Sequence, residues 1–155
     1  MATKWLSSQE MDAWLAFIET TSDLMKAIEK DLAPFGLDRG DYQLLAMLSE
    51  SENHQMRMCD LADRLRLTRS GLTRRMEGVL KKKLVTRVQS TEDGRVAFAQ
   101  LTTKGFELLK TAAPEHLESV RRLMIDVLSP AEIKAFASGF SKISENLSAE
   151  NLSAE

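Results

Sequence analysis

The feature that most constrains the fold is a change of period after Leu84. Before this residue, apolar side chains recur at steps of three and four, which is typical of amphipathic helices. After it, the segments VTRVQ (85–89) and RVAFAQL (95–101) are rich in β-branched and apolar residues. They flank STEDG, whose Asp-Gly pair is a strong signal for a hairpin turn. The sequence therefore predicts a β-hairpin that directly follows a helix.

Four helices are predicted before the hairpin, because capping residues and polar breaks divide this part of the chain. The first is a long helix that begins at the capping box Ser7–Glu10 and ends before Pro34 and Gly36. The second runs from Asp38 to about Ser49, and the third, a short helix after the polar break ENHQ, runs from Asp60 to Leu65. The fourth is a basic helix that is capped by Thr68 and continues to about Lys82.

Two more helices are predicted after the hairpin. Thr102 can cap the first, and Pro114 inside it predicts a kink. The motif SPAE (129–132) combines an N-cap, a first-turn proline and a capping-box glutamate, and it begins the last helix. The inward face of this last helix is predicted to consist of Ile133, Phe136, Phe140, Ile143 and Leu147. The repeated ENLSA at the end has a period of neither helix nor strand, which favours a frayed extension or a duplicated segment.

The order of a helix, a short helix, a basic helix and a β-hairpin predicts a winged helix-turn-helix. The expected fold class is mainly α with a small β-hairpin wing, flanked by long N- and C-terminal dimerisation helices. Within one domain, 1–155, we assign 37–103 to the winged helix lobe, 7–33 and 104–148 to the helical dimerisation region, and 149–155 to a tail.

Positive charge is concentrated in one part of the chain. Residues 64–104 contain eleven Lys and Arg against three acidic residues, although the whole chain carries a net charge of −2. A basic segment in an acidic chain is typical of a surface that binds a polyanion. The alternative is a solvated charged face, so the charge alone does not decide between them.

The basic helix has the residue types that a DNA-reading helix needs. Such a helix lies in the major groove with its first turns against the base edges, so small polar and basic side chains are expected there. Gly71 lies among them and allows close approach of the backbone to phosphates. Arg95 follows the hairpin turn and can reach a narrow minor groove, whereas Asp93 is better placed to orient an arginine. The predicted DNA-binding residues are Thr68, Arg69, Ser70, Thr73, Arg74, Arg75 and Arg95.

The segment from Leu72 to Gly105 resembles the recognition helix and wing of MarR-type transcriptional regulators. It contains the family's D-x-R wing element, Asp93 and Arg95, and the LTxxG motif that ends the wing. The similarity extends over roughly Ser7 to Leu147. It implies a homodimer in which the first helix and the last two helices intertwine, and a repressor that binds a palindromic operator.

The resemblance also implies that a small, often aromatic or phenolic, acid binds between the lobes and the dimer helices and releases DNA. Trp14, Tyr42 and His116 are candidates to line that pocket. The alternative for Trp14 is dimer or core packing, and the alternative for His116 is a partly solvated helix position.

Three positions depart from the family pattern. Lys83 stands where a glycine usually ends the recognition helix, so a residue with a side chain is expected in a left-handed cap unless the helix ends differently. Gly78 and Leu80 replace the usual arginine and glutamate. This replacement leaves Arg74 or Arg75 as the expected partner of Asp93.

Other classes of protein find little support. The single cysteine, Cys59, allows no internal disulfide, and its distance from His54 does not suggest a thiol catalyst, so we expect a packing or weak capping role. No catalytic constellation, cofactor motif or metal-ligand spacing is present, and we expect no enzyme. No apolar run approaches the roughly 18 residues of a membrane span, and no targeting segment precedes the first helix, which favours the cytoplasm. A winged-helix module that binds an acidic protein is the alternative to a DNA-binding regulator.

Overall fold

The computed structural model describes residues 3–91 and 95–152. Its helices and strands follow the predicted order, with one additional strand. They are α1 (Ser8–Leu32), α2 (Arg39–Glu50), β1 (Gln55–Arg57), α3 (Met58–Arg64), α4 (Arg69–Lys81), β2 (Val85–Gln89), β3 (Ala97–Leu101), α5 (Thr103–Val120) and α6 (Pro130–Leu152).

The capping residues predicted for α1, α2 and α4 are confirmed. Ser7 and Glu10 form the capping box of α1, and Gly36 ends the turn after α1 with a φ of 67°. The Asp38 carboxylate accepts a hydrogen bond from the Asp41 N–H at 2.7 Å at the start of α2. The Thr68 hydroxyl accepts one from the Gly71 N–H at 3.1 Å at the start of α4. Short polar side chains therefore fix where these helices begin.

The sheet has three antiparallel strands in the order β1-β3-β2, rather than the two of the predicted hairpin. The polar break ENHQ (52–55) was expected to lead to a helix starting at Asp60; instead β1 begins at Gln55, the last residue of the break, and α3 starts at Met58. A segment of three residues is too short to show the alternation of apolar and polar residues that predicts a strand. β1 forms because Met56 pairs with Ala99 of β3 and is buried. The predicted Asp-Gly turn lies outside the described residues.

A single cluster of buried apolar residues holds the lobe together. It joins the end of α1, α2, α3, α4, the sheet and α5, and its fully buried members include Leu44, Leu48, Leu61, Leu72 and Val79. On α4 the buried residues are Leu72, Met76 and Val79, which lie on one face of the helix. This packing fixes which face of α4 remains outside.

Contacts between residues divide the chain into two compact units, 1–117 and 118–155. In the second unit, a π-helical turn from Arg121 to Ile125 follows α5, and the Arg121 guanidinium pairs with Asp126 at 2.6 Å. The Ser129 N–H donates to the Glu132 carboxylate at 2.8 Å, which confirms the predicted start of α6. No pattern in the sequence indicated the π turn.

Two expectations for the C-terminal helices need correction. α6 continues through Leu152, so the first ENLSA (145–149) and the start of its repeat are helical, where the sequence favoured a frayed extension or a duplicated segment. The Asn146 amide donates to the Glu150 carboxylate one turn on at 3.2 Å. The apolar face predicted to point inward is exposed in the single chain at Phe136, Phe140, Ile143 and Leu147. α5 contains Pro114 and continues as a helix to Val120.

Candidate nucleic-acid interface

The first turns of α4 present polar and basic side chains to solvent. Thr68, Arg69 and Ser70 are exposed, as are Thr73 and Arg74 one turn later. The Thr68 hydroxyl lies 3.1 Å from that of Ser70, and the Thr73 hydroxyl donates to the Arg69 carbonyl at 3.0 Å. These bonds hold three hydroxyl groups at the helix surface beside two guanidinium groups. Because the N-terminal N–H groups of a helix also attract anions, this surface suits a polyanion with hydrogen-bonding edges.

Arg75 occupies a different position from the other arginines of α4. Its Nη1 lies 2.5 Å from the Asp38 carboxylate and 3.2 Å from the Asp41 carboxylate, both on or next to α2. Burial raises the pKa of Asp38, but the hydrogen bonds from Arg75 and from the Asp41 N–H outweigh it and lower the pKa overall. Arg75 was predicted among the DNA-binding residues and, with Arg74, as one of two candidate partners of Asp93, which lies outside the described residues. In the structure its guanidinium pairs with Asp38 and Asp41.

Gly40 provides the room for this ion pair. A Cβ at this position would lie 2.5 Å from the Arg75 Cζ, so any side chain would displace the guanidinium. Gly40, Asp38 and Asp41 were not recognised from the sequence as parts of the site. Asp38 had a sufficient explanation as a cap, and a contact across 37 residues leaves no local pattern.

Lys82 ties the other end of α4 to the same region. Its ammonium group donates to the Asp41 carboxylate at 2.7 Å and to the Gly36 carbonyl at 2.8 Å. Asp41 is 4% exposed, so it accepts from two cations in a largely desolvated position. A cleft of about 360 Å³ borders this network, lined by Asp38, Asp41, Leu67, Gly71, Arg74, Arg75, Gly78 and Lys82. Two cation contacts thus fix the orientation of α4 relative to α2.

The wing is formed by β2 and β3, which pair from Val85 with Leu101 to Gln89 with Ala97. The Ser90 N–H continues the pairing with a bond to the Val96 carbonyl at 2.8 Å. Arg95 is exposed at the edge of the described part of the wing, as its predicted role requires. Asp93, predicted to orient an arginine, lies outside the described residues.

Of the three predicted pocket residues, the structure brings two together. The rings of Tyr42 and His116 are 4.2 Å apart, whereas the Trp14 ring contacts Phe17 at 6.1 Å on α1. Burial lowers the pKa of His116 and raises that of Tyr42. The buried His116 Nδ1 has no hydrogen-bond partner within residues 3–91 and 95–152.

Cys59 and His54 make separate contacts. The Cys59 thiol is exposed and lies 3.3 Å from the Asp60 carboxylate, while the His54 ring bonds the Ser49 carbonyl at 2.9 Å and packs on Phe106. A packing or weak capping role was expected for Cys59, but the N-cap of α3 is Arg57 and the Cys59 side chain is exposed, so the structure gives it neither role.

Together these features define a winged helix-turn-helix: a short helix, a helix with an exposed basic face, and an antiparallel wing on a shared core. A family model described as MarR family matches residues 35–96. The crystal structure of AbsC, a MarR family transcriptional regulator from Streptomyces coelicolor, is similar with a TM-score of 0.92 and 39% identity, over 95% of this chain and 99% of that one. The chain belongs to the MarR family of transcriptional regulators.

Two further relatives support the assignment. The structure of Sco3205, a MarR family transcriptional regulator from Streptomyces coelicolor in complex with DNA, has a TM-score of 0.90 and 31% identity over 94% of this chain and 92% of that one. The HTH-type transcriptional repressor YetL of Bacillus subtilis is 24% identical over 119 residues, 77% of this chain and 71% of the relative. Across the described part of the chain, no helix has the length and apolar character to cross a membrane.

Proposed function

We propose that this chain is a sequence-specific regulator of transcription that binds a palindromic operator in double-stranded DNA as a homodimer. The observation that carries the proposal is the division of α4 into two faces. Leu72, Met76 and Val79 are buried, and the opposite face presents Arg69, Ser70, Thr73 and Arg74. The similarity to Sco3205, whose structure is a complex with DNA, supports the same role here.

The exposed side chains of Arg69, Ser70, Thr73 and Arg74 each have a specific use in the major groove. Arg69 and Arg74 can each donate two hydrogen bonds to one guanine, which distinguishes it from the other bases. Ser70 and Thr73 can donate to or accept from several bases. The N-terminus of α4 and the capping Thr68 are suited to a phosphate. Arg75 contributes by holding α4 against α2 through Asp38 and Asp41.

The wing adds a second contact with the duplex. Arg95 extends from the wing and can enter the adjacent minor groove, where a narrow groove concentrates negative potential. Contacts of this type respond to groove width, so we infer that the wing adds preference for sequences with a narrow minor groove. Exposed cations elsewhere in residues 64–104 add salt-dependent affinity.

Exposed apolar residues support a homodimer. α1 leaves Trp14, Leu15, Phe17 and Ile18 between 43% and 51% exposed. α6 by itself leaves Ile143 and Leu147 each 54% exposed. Apolar surface of this extent on helices is normally covered, and in this family the resemblance implies that a second copy covers it.

We therefore expect Ile143→Glu to shift the protein towards monomer, because a carboxylate in an apolar interface is costly to desolvate. Sedimentation velocity over a concentration series measures the dissociation constant of the dimer, and we expect it to rise at least tenfold. Ser144→Glu, which introduces the same charge at the neighbouring position, is the control and should leave the constant nearly unchanged. A wild-type protein that is monomeric at all concentrations would contradict the proposed dimer.

We also propose that a small aromatic or phenolic acid regulates DNA binding through the Tyr42–His116 contact. The support is local: two rings are in contact, and the buried His116 Nδ1 has no hydrogen-bond partner among the residues described, so a polar atom of a bound ligand would satisfy it. Trp14 belongs to the proposal only through the resemblance, since its ring contact is with Phe17.

The test of DNA binding is a competition measured by fluorescence anisotropy. The purified protein is titrated with labelled fragments of its own upstream DNA and with scrambled duplexes of equal length and composition, at several salt concentrations. The protein should bind one fragment at least about 10³-fold more tightly than it binds the scrambled duplexes, as is usual for specific sites. Equal, weak binding to every duplex would contradict the proposal and favour the alternative, a winged-helix module that binds an acidic protein.

A further inference from the structure

Both ends of α4 adjoin a residue in the left-handed conformation that is not glycine. Arg66, in the turn between α3 and α4, has a φ of 56°, and Lys83, just after α4, has a φ of 59°. The expectation that Lys83 occupies a left-handed cap is confirmed. The positive φ of Arg66 has no signal in the sequence.

The two turns have the same hydrogen bonds. After α3, the Arg66 N–H donates to the Asp63 carbonyl at 3.1 Å and the Leu67 N–H to the Ala62 carbonyl at 2.9 Å. After α4, the Lys83 N–H donates to the Leu80 carbonyl and the Leu84 N–H to the Val79 carbonyl, both at 2.9 Å. This is the Schellman arrangement, in which glycine is favoured because it adopts a positive φ without a steric penalty. Glycine at either position would therefore make the turn, and with it the fold, more stable than Arg66 or Lys83 does.

No hydrogen bond or ion pair among the described residues uses the charge of Arg66 or Lys83. Both side chains are exposed, and neither the guanidinium of Arg66 nor the ammonium of Lys83 bonds or pairs with another described residue. Neighbouring lysines differ: Lys82 bonds Asp41 and Gly36, and Lys104 donates to the Lys82 carbonyl at 2.9 Å. The stability of the fold therefore does not explain a cation at 66 or 83.

Their placement relative to α4 suggests an explanation. Arg66 lies two residues before the capping Thr68, and Lys83 lies two residues after Lys81, the last residue of the helix. A helix of 13 residues is about 20 Å long. The major groove is about 12 Å wide with a phosphate backbone at each rim, so residues in the turns just outside a helix inserted in it can reach the phosphates, while the outward side chains of its first turns face the bases.

We propose that Arg66 and Lys83 bind the phosphates that flank the major groove, and that the chain retains them in left-handed turns for this purpose. The inference rests on the proposed function, since it requires α4 to lie in DNA. It adds two phosphate-binding residues to those predicted from the sequence and assigns them to affinity and register, not to base recognition.

The test uses Arg66→Gly and Lys83→Gly, with Asn53→Gly as the matched control. Asn53 also has a positive φ, of 53°, but carries no charge. Thermal unfolding should show a higher midpoint for Arg66→Gly and Lys83→Gly, by a few degrees, because glycine relieves the left-handed strain. Binding to the fragment that the wild-type protein prefers is then measured between about 50 and 200 mM salt, the range over which phosphate binding weakens most visibly.

Each of the two glycine variants should bind DNA several-fold more weakly at low salt. The slope of log affinity against log salt should become shallower by about 0.9 for each phosphate that the protein no longer neutralises, and Asn53→Gly should keep the wild-type slope. Base preference should be unchanged in all three.

Two results would overturn the inference. One is an unchanged salt slope in both Arg66→Gly and Lys83→Gly, whether or not affinity falls, since removing a cation that neutralises a phosphate must change the slope. The other is a lower midpoint in both, because that would show that the cations stabilise the fold. A wild-type protein with no preferred duplex gives a different outcome, which contradicts the proposed function itself.

Discussion

Replacing Gly105 with alanine is expected to destabilise the protein by about 3 kcal/mol, near the upper end of the usual cost of overpacking. A Cβ at this position would overlap the Leu84 carbonyl oxygen and lie 2.8 Å from a methyl group of Leu101. The oxygen cannot move aside easily, because it accepts bonds from both the N–H and the hydroxyl of Thr102, each at 3.0 Å. The start of α5 would have to separate from the end of α4 and from the wing.

The measurement is the free energy of unfolding from urea denaturation. Gly78→Ala is the matched control, because Gly78 is also helical and a Cβ there meets nothing within 4 Å. It should stabilise the protein by up to about 1 kcal/mol, the difference in helix propensity. If Gly105→Ala unfolded at the same urea concentration as the wild-type protein, the close packing of α5 on Leu84 would be incorrect.

Asp41→Ala is expected to destabilise the protein by about 2 kcal/mol and to weaken DNA binding as well, since charge-assisted bonds of the kind it makes contribute about 1.5–3 kcal/mol each. The Asp41 carboxylate is nearly buried and accepts from Lys82 at 2.7 Å and from Arg75 at 3.2 Å. Its removal leaves two cations that Asp38 alone cannot satisfy. The expected loss of stability is smaller than that for breaking a fully buried ion pair, because the Arg75 and Lys82 side chains are 32% and 43% exposed and water can solvate their charges.

Asp23→Ala provides the comparison. Asp23 pairs with Lys26 at 3.4 Å on α1, but the two side chains are 82% and 74% exposed, so its loss should change stability by no more than about 0.5 kcal/mol. Unfolding and DNA affinity are measured for both variants. Equal, small effects of the two substitutions would show that the contacts between α2 and α4 do not hold the recognition helix.

The helices and the wing could be predicted because their signals are local. Ser7, Asp38, Thr68 and Ser129 each begin a helix through bonds to residues three positions away, and that spacing is visible in the sequence. β1 was missed because three residues give no period, and it exists only because β3 offers an edge to pair with.

Part of the candidate site could also be predicted, because its signals are local. The exposed face of α4 follows from helical periodicity and the position of Thr68, so Arg69, Ser70, Thr73 and Arg74 could be assigned from the sequence. The role of Arg75 could not, since Asp38 and Asp41 precede it by 37 and 34 residues. The phosphate-binding role proposed for Arg66 could not be predicted from the sequence, because its positive φ is a property of the folded turn. In the sequence, Arg66 is one of several arginines in a basic segment.

The central claim is that the outer face of α4, which includes Arg74, reads bases. The most direct test is to measure how Arg74→Ala binds a set of duplexes in which each base pair of the preferred fragment is changed in turn. We predict a loss of roughly 1–3 kcal/mol on the preferred fragment and the disappearance of discrimination at one base pair in each half-site. An Arg74→Ala protein that discriminates at every base pair as the wild-type protein does would contradict the claim.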